Sequence, residues 1–158
     1  MIRKANDSDV HSIAYINSSV WQTSYKGVID DDFLKKRTVE SRINVFENIV
    51  KNENIYVFEE NNIIKGFISG KIIREKYDCE IIGLYIGLEY QGKNIGTKLL
   101  EYMKEYYKNN GCENMIIWTI KNLRNNEFYK KHGGKIKEEK ELEYEDRKYP
   151  GIGFVFEL

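Results

Sequence analysis

A chain of 158 residues with 25 basic and 25 acidic side chains carries no formal net charge, and its charges are interspersed, which excludes the basic stripe of a nucleic-acid binder and the cationic face of a membrane binder. The length suits a single domain, 1–158, with one sizeable core, and no apolar run approaches the ~20 residues of a membrane helix. Cys79, Cys112, His11 and His132 form no ligand-spaced set, so no metal is expected, and residues 1–7 lack the apolar stretch of a secretory leader, so the cysteines read as reduced thiols of a cytoplasmic protein.

In chain order, residues 2–4 read as a short strand, and Asn6, Asp7 or Ser8 can cap the helix that follows. Val10, Ile13, Ala14, Ile16, Asn17 and Val20 lie at helical spacing, and Trp21 and Tyr25 come at the end of that helix. Asp30, Asp31 and Asp32 precede Phe33 and Leu34 as acidic residues precede a helix, and a further helix is predicted over about 39–50. Residues 55–58 and 63–73 read as a hairpin turned at Asn61-Asn62. A central strand is predicted over 79–86, a helix from Ile95 to a stop at Gly111, and an apolar strand over 115–120 with the run of a parallel, doubly buried strand. A helix over about 123–132 and two final strands, about 135–142 and 151–158, complete the order, the last two flanking a charged loop that contains Pro150. The pattern predicts an α/β (α+β) fold, with a mixed sheet and helices on both faces.

The most informative stretch is 84–100. Leu84-Tyr85-Ile86 ends the central strand, and Gln91-Gly92-Lys93-Asn94-Ile95-Gly96-Thr97 leads into a helix. A strand feeding a helix through such a loop aims backbone N–H groups and the positive end of a helix dipole at one point, a site for phosphate. The spacing is neither a Walker loop nor a dinucleotide fingerprint. It resembles the acetyl-CoA signature of the GNAT superfamily of N-acetyltransferases, Gln/Arg-x-x-Gly-x-Gly/Ala after a strand ending Leu-Tyr-Val. Asn94 stands where the family usually has Gly, and Asn tolerates the left-handed conformation better than most residues. A second motif, Asn122 followed by Asn125 and then Phe128-Tyr129-Lys130-Lys131-His132-Gly133, is similar to the family's Asn-x-x-Ala-x-x-Phe-Tyr-x-x-x-Gly-Phe, with Asn125 in place of Ala and Gly134 in place of Phe.

The resemblance implies a GNAT-like, mostly antiparallel twisted sheet of about six to seven strands, acetyl-CoA as co-substrate, and acetyl transfer to a primary amine of a small molecule or a peptide N-terminus. It implies cofactor contacts from Leu84, Tyr85, Ile86, the loop Gln91, Gly92, Lys93, Asn94, Ile95, Gly96 and Thr97, and from Asn122, Asn125 and Phe128. Phe128 taken by itself reads as a core aromatic. Attack on a thioester needs a neutral amine, an oxyanion donor and an acid for the departing thiolate. Glu80 matches a family position for the base, and an apolar setting among Ile81 and Ile82 would raise its pKa. A backbone N–H near Ile86 matches the oxyanion donor and Tyr129 the acid. Cys79 has no neighbouring His to activate it, so direct transfer in a ternary complex is expected rather than an acyl-enzyme.

The family builds its acceptor groove from the N-terminal helices and the last loop. Trp21 and Tyr25 are therefore candidates for substrate binding, with Asp30, Asp31 and the acidic stretch Glu141, Glu143, Glu145 and Asp146 as candidates to receive a cation. Helix capping explains Asp30 and Asp31 equally well, and a solvated loop explains the acidic stretch better. A non-catalytic acyl-CoA sensor of the same fold is the alternative, resting on Asn94 and Asn125; a nucleotide-binding scaffold is a weaker one. The final strand, if exposed, offers an edge on which a homodimer could pair.

Overall fold

Seven strands form one sheet in the order β1-β2-β3-β4-β5-β7-β6 in the computed structural model, which describes residues 1–158. The strands are β1 (Ile2–Lys4), β2 (Asn54–Glu60), β3 (Ile63–Ile72), β4 (Cys79–Ile86), β5 (Asn114–Ile120), β6 (Lys135–Tyr144) and β7 (Arg147–Glu157). The helices are α1 (Val10–Ser24), α2 (Asp31–Lys36), α3 (Val39–Asn52), α4 (Ile95–Asn109) and α5 (Asn125–Lys131), with 3-10 turns at Asp7–Asp9 and Leu88–Tyr90. The sheet is mixed and mostly antiparallel, the β4–β5 pairing being parallel. The chain divides into two units, Met1–Gly70 with Gly83–Tyr102, and Lys71–Ile82 with Met103–Leu158.

In the first unit β1 runs antiparallel to β2, with Arg3 opposite Val57. Asn6 then starts the chain into α1 through a capping box: its side chain accepts from Ser8 N–H, and Asp9 accepts from the Asn6 N–H. Val10, Ile13, Ala14 and Ile16 of α1 meet Phe46 and Val50 of α3 and Ile55, Val57 and Phe67 of the hairpin in one apolar core. That core is what the helical spacing along α1 and α3 exists to fill. The hairpin turns at Asn61 and Asn62, both left-handed at φ 54° and 61°, as Asn permits.

In the second unit β5 lies parallel to β4 at its start and antiparallel to β7 along its whole length. Met103, Tyr107, Met115, Ile117, Phe154 and Phe156 are buried there. Trp118 is only half-buried, and Lys140 Nζ stands 4.0 Å from its ring centroid, so that position of β5 is not enclosed as the apolar run predicts.

Two expectations are corrected at the end of the chain. The charged loop around Pro150 is a tight hairpin: β6 pairs with β7 up to Tyr144↔Arg147, and Glu145 takes φ 55° in the turn. Pro150 lies inside β7, and its carbonyl accepts from Lys121 N–H at 2.9 Å. Its missing N–H therefore faces the β5 side, beyond the last ladder pair, Ile120↔Gly151, so the sheet forgoes only one bond at its end. The final strand is also not an edge. β7 is buried from Gly151 to Phe156 between β5 and β6, and β6 ends the sheet. β6 is charged, exposed over most of its length and bulged between Ile136 and Glu138, the features that discourage edge pairing.

Candidate active site

Along β4 the buried residues alternate, Cys79, Ile81 and Gly83 on one face and Glu80, Ile82 and Leu84 on the more open one. Leu84, Tyr85 and Ile86 are half-buried. Gly66 lets β3 approach this end: a Cβ there would stand 2.7 Å from Ile86 Cδ1 and 3.0 Å from the Tyr85 carbonyl oxygen. The Gly87 N–H is taken by the Lys65 carbonyl at 2.8 Å, and the Ile86 carbonyl accepts from Gln91 Nε2 at 3.1 Å. Gln91 thus folds its side chain back to fix the loop to the strand.

The loop itself is exposed from Gln91 to Asn94. Gly92 and Asn94 are left-handed, φ 76° and 64°, a conformation that Asn tolerates better than most residues. No atom lies within 4 Å of where a Gly92 Cβ would be, so the backbone there is open to close approach. The Lys98 N–H makes the first turn's bond, to the Asn94 carbonyl at 3.1 Å. The amides of Ile95, Gly96 and Thr97 come ahead of it, at the positive end of a helix running to Asn109. Lys93 Nζ and Lys65 Nζ flank the Tyr90 ring at 5.9 and 5.0 Å; Lys65 is paired with Glu60, and Lys93 adds positive charge beside the loop.

Trp21 and Tyr85, far apart in sequence, are brought together: the indole N–H donates to the Tyr85 hydroxyl at 3.0 Å. Tyr25 packs on Trp21 at 4.3 Å between ring centroids, and the Arg37 guanidinium lies 3.9 Å from the Trp21 centroid. Trp21 is 5% exposed. With its face covered and its N–H bonded to Tyr85, Trp21 has little free surface, whereas the half-buried Tyr25 keeps an open side. Asp30 is the N-cap of α2, accepting from Phe33 N–H at 3.3 Å, and Asp31 is an exposed first-turn residue. Capping accounts for both. Glu141 and Glu143 belong to β6, not to a loop, and Glu141 faces Lys148 at 3.7 Å.

The second motif lies in the second unit. Asn122 is left-handed, φ 67°, and its N–H donates to Asn126 Oδ1 at 3.0 Å. Asn126, 6% exposed, also donates to the Ile120 carbonyl at 3.1 Å and to Asn125 Oδ1 at 2.8 Å, while Asn125 and Thr119 exchange bonds at 3.0 and 3.2 Å. This polar knot holds the turn between β5 and α5. Asn126 is its hub, and the sequence reading passed over it. Of the aromatic pair it is Tyr129 that is buried, with centroids 5.5 Å from Phe154 and 6.5 Å from Phe156. Phe128, expected in the core, is half-buried against the His132 ring at 4.2 Å. A short helix buries one face only, and α5 turns Tyr129 inward. Gly134 leaves no room for a side chain: a Cβ would stand 2.7 Å from Phe156 Cζ and 2.8 Å from the Tyr129 carbonyl oxygen.

Glu80 sits opposite Ile116 in the β4–β5 ladder and is half-buried. The apolar setting expected for it is incomplete: Ile81 points to the other face, and Ile82 is 41% exposed. Cys79 is fully buried, and burial, with Cys112 beside it, pushes its thiol well above the ordinary range. Such a thiol is no nucleophile at neutral pH.

Comparisons with known proteins bear on the family and the fold. The model of the Acetyltransferase (GNAT) family matches residues 18–134. An uncharacterized N-acetyltransferase, YuaI, of Bacillus subtilis is 29% identical over 135 residues, 81% of this chain and 76% of its own. A spermidine N(1)-acetyltransferase of Thermoplasma acidophilum is 26% identical over 146 residues, 87% of this chain and 89% of its own. The fold matches a crystal structure of PaiA N-acetyltransferase from Thermoplasma acidophilum in complex with coenzyme A, with TM-score 0.78 and 21% identity over 100% of this chain and 98% of that one.

Proposed function

This chain belongs to the GNAT acetyltransferase family, and from that premise we propose that it moves the acetyl group of acetyl-CoA to a primary amine by direct attack. The observation that carries the reading is the left-handed pair Gly92 and Asn94 set immediately before α4. It exposes consecutive amides at a helix start, where a diphosphate is best held. When bound, acetyl-CoA supplies an acetyl thioester, an acyl group already activated toward amines.

The chain's residues divide the remaining work. The amides from Gln91 to Thr97 hold the diphosphate, with Lys93 adding charge, and Leu84, Tyr85 and Ile86 border the acyl arm. Asn122, Asn125 and Phe128 flank the pantetheine portion. Glu80, directly or through water, takes the proton of an alkylammonium whose pKa is near ~10. The Tyr129 hydroxyl holds the proton needed by the thiol. Tyr25, beside Trp21, lines the acceptor side. The buried Cys79 supports direct transfer, and two free, buried thiols support a reducing, cytoplasmic setting. No helix is long and apolar enough to cross a membrane. The family match runs through both compact units, which supports reading 1–158 as one acetyltransferase domain.

Titration calorimetry with acetyl-CoA, followed by a thiol-release assay against a panel of amines, tests the reading. Saturable heat and amine-dependent release of coenzyme A are expected. Binding with no release for any amine would leave a sensor, and no heat at all would remove the reading altogether.

A further inference from the structure

Arg42, in the first turns of α3, donates its backbone N–H to the Thr38 carbonyl at 3.1 Å. Its side chain is half-buried, and its Nε is sealed from solvent with no hydrogen-bond partner. Burial lowers its pKa, and the one titratable group near enough to act on its charge is the Tyr85 phenol; no carboxylate faces it. A guanidinium stays charged at neutral pH and offers five donors in a planar fork. Sealing its Nε without an acceptor is unfavourable. Four acids of the first unit are engaged elsewhere: Asp9 and Glu59 with Arg3, Asp30 as the cap of α2, and Glu60 with Lys65.

The place matters as much as the charge. Tyr85 stands on the length of β4 that leads into the amide loop, packed with Val39 and Ile43 of α3 against the core, and its hydroxyl is held by Trp21. A half-buried guanidinium therefore lies beside the strand end at which, on the acetyl-transfer reading, the acceptor amine arrives. A cationic acceptor would call for acids beside Tyr85, and the structure presents a guanidinium there. We propose that Arg42 pairs with a carboxylate of the acceptor, so that the amine acetylated is an amino-carboxylate and not a polyamine. A polyamine carries only positive charge at neutral pH and would meet repulsion at this point. The proposal rests on the acetyl-transfer reading and specifies its substrate class.

The test uses the full chain and ω-amino acids of increasing length, from glycine to 6-aminohexanoate, each against the amine lacking the carboxylate, with spermidine included. At one chain length the wild type should favour the carboxylate member by about tenfold or more in kcat/KM, the worth of a charged hydrogen-bonded pair. Arg42→Gln should bring that ratio toward one through KM, with no change in the Kd of acetyl-CoA. Arg42→Lys, which keeps the charge but not the fork, should retain part of it. Thermal melts of both variants establish that they fold. Spermidine preferred over every amino acid, or a ratio untouched by Arg42→Gln, overturns the carboxylate proposal while acetyl transfer stands. Should no amine release coenzyme A, the acetyl-transfer reading falls, and calorimetry of the same pairs on the coenzyme A-bound protein decides this one. Heat with the amino acid that Arg42→Gln abolishes upholds it; equal heat from both members, or none, overturns it.

Discussion

Asn94 holds a backbone conformation that most side chains resist, and the loop's shape depends on its doing so. At φ 64° a β-branched residue would be strained by roughly 1–2 kcal/mol. Asn94→Val should therefore weaken acetyl-CoA about tenfold in calorimetry, while Asn94→Gly should bind within about twofold of wild type. This much was legible in the sequence, because the left-handed tolerance of Asn is a property of the residue alone. The roles of Arg37, Arg42 and Asn126 were not. A charged or polar side chain on a helix reads as solvent-facing until the neighbouring elements are in place, and their partners, Trp21, Tyr85 and the Ile120 carbonyl, come from other elements.

At the scale of elements, the entry into α1 carries the strongest electrostatic commitment. Arg3 grips Asp9 with two bonds of 2.8 and 2.9 Å, the Asn6 N–H adds a third at 2.9 Å, and Asp9 is 4% exposed. The hydrogen bonds from Arg3, more than the direct charge attraction, hold the Asp9 carboxyl below the usual carboxylate range. A carboxylate with a depressed folded pKa contributes stability that is fully present above its unfolded value, near ~4, and is lost as pH falls through the folded one. Asp9→Asn should cost about 2–3 kcal/mol at pH 7. The gap between variant and wild type in denaturant midpoint should narrow once the pH drops below ~4. Element identity was readable wherever period and punctuation agreed, as in α1, β2–β3 and β4-loop-α4. It failed at β6–β7 because the turn at Glu145-Asp146 lacks the Gly or Asn that marks a tight hairpin, and because Pro150, a breaker by type, sits where its missing donor forgoes only one bond at the sheet's end.

At the scale of the whole molecule, the fold was predictable and the placement of its charges was not. The mixed sheet follows from the order of strands and helices along the chain, whereas the charge beside Tyr85 depends on which helix face meets it. Cys79 belongs to this scale, since a fully buried thiol contributes to packing. Cys79→Ala should leave kcat largely intact while lowering stability by about 1 kcal/mol; loss of turnover in a folded variant would count against direct transfer. Because Cys79 is 0% and Cys112 3% exposed, a colorimetric disulfide reagent will find neither sulfur while the polypeptide is native. Colour developing during turnover then measures liberated coenzyme alone, without an enzyme blank that drifts. The same dye added to resting protein becomes a clock for spontaneous opening of the Lys71–Ile82, Met103–Leu158 unit.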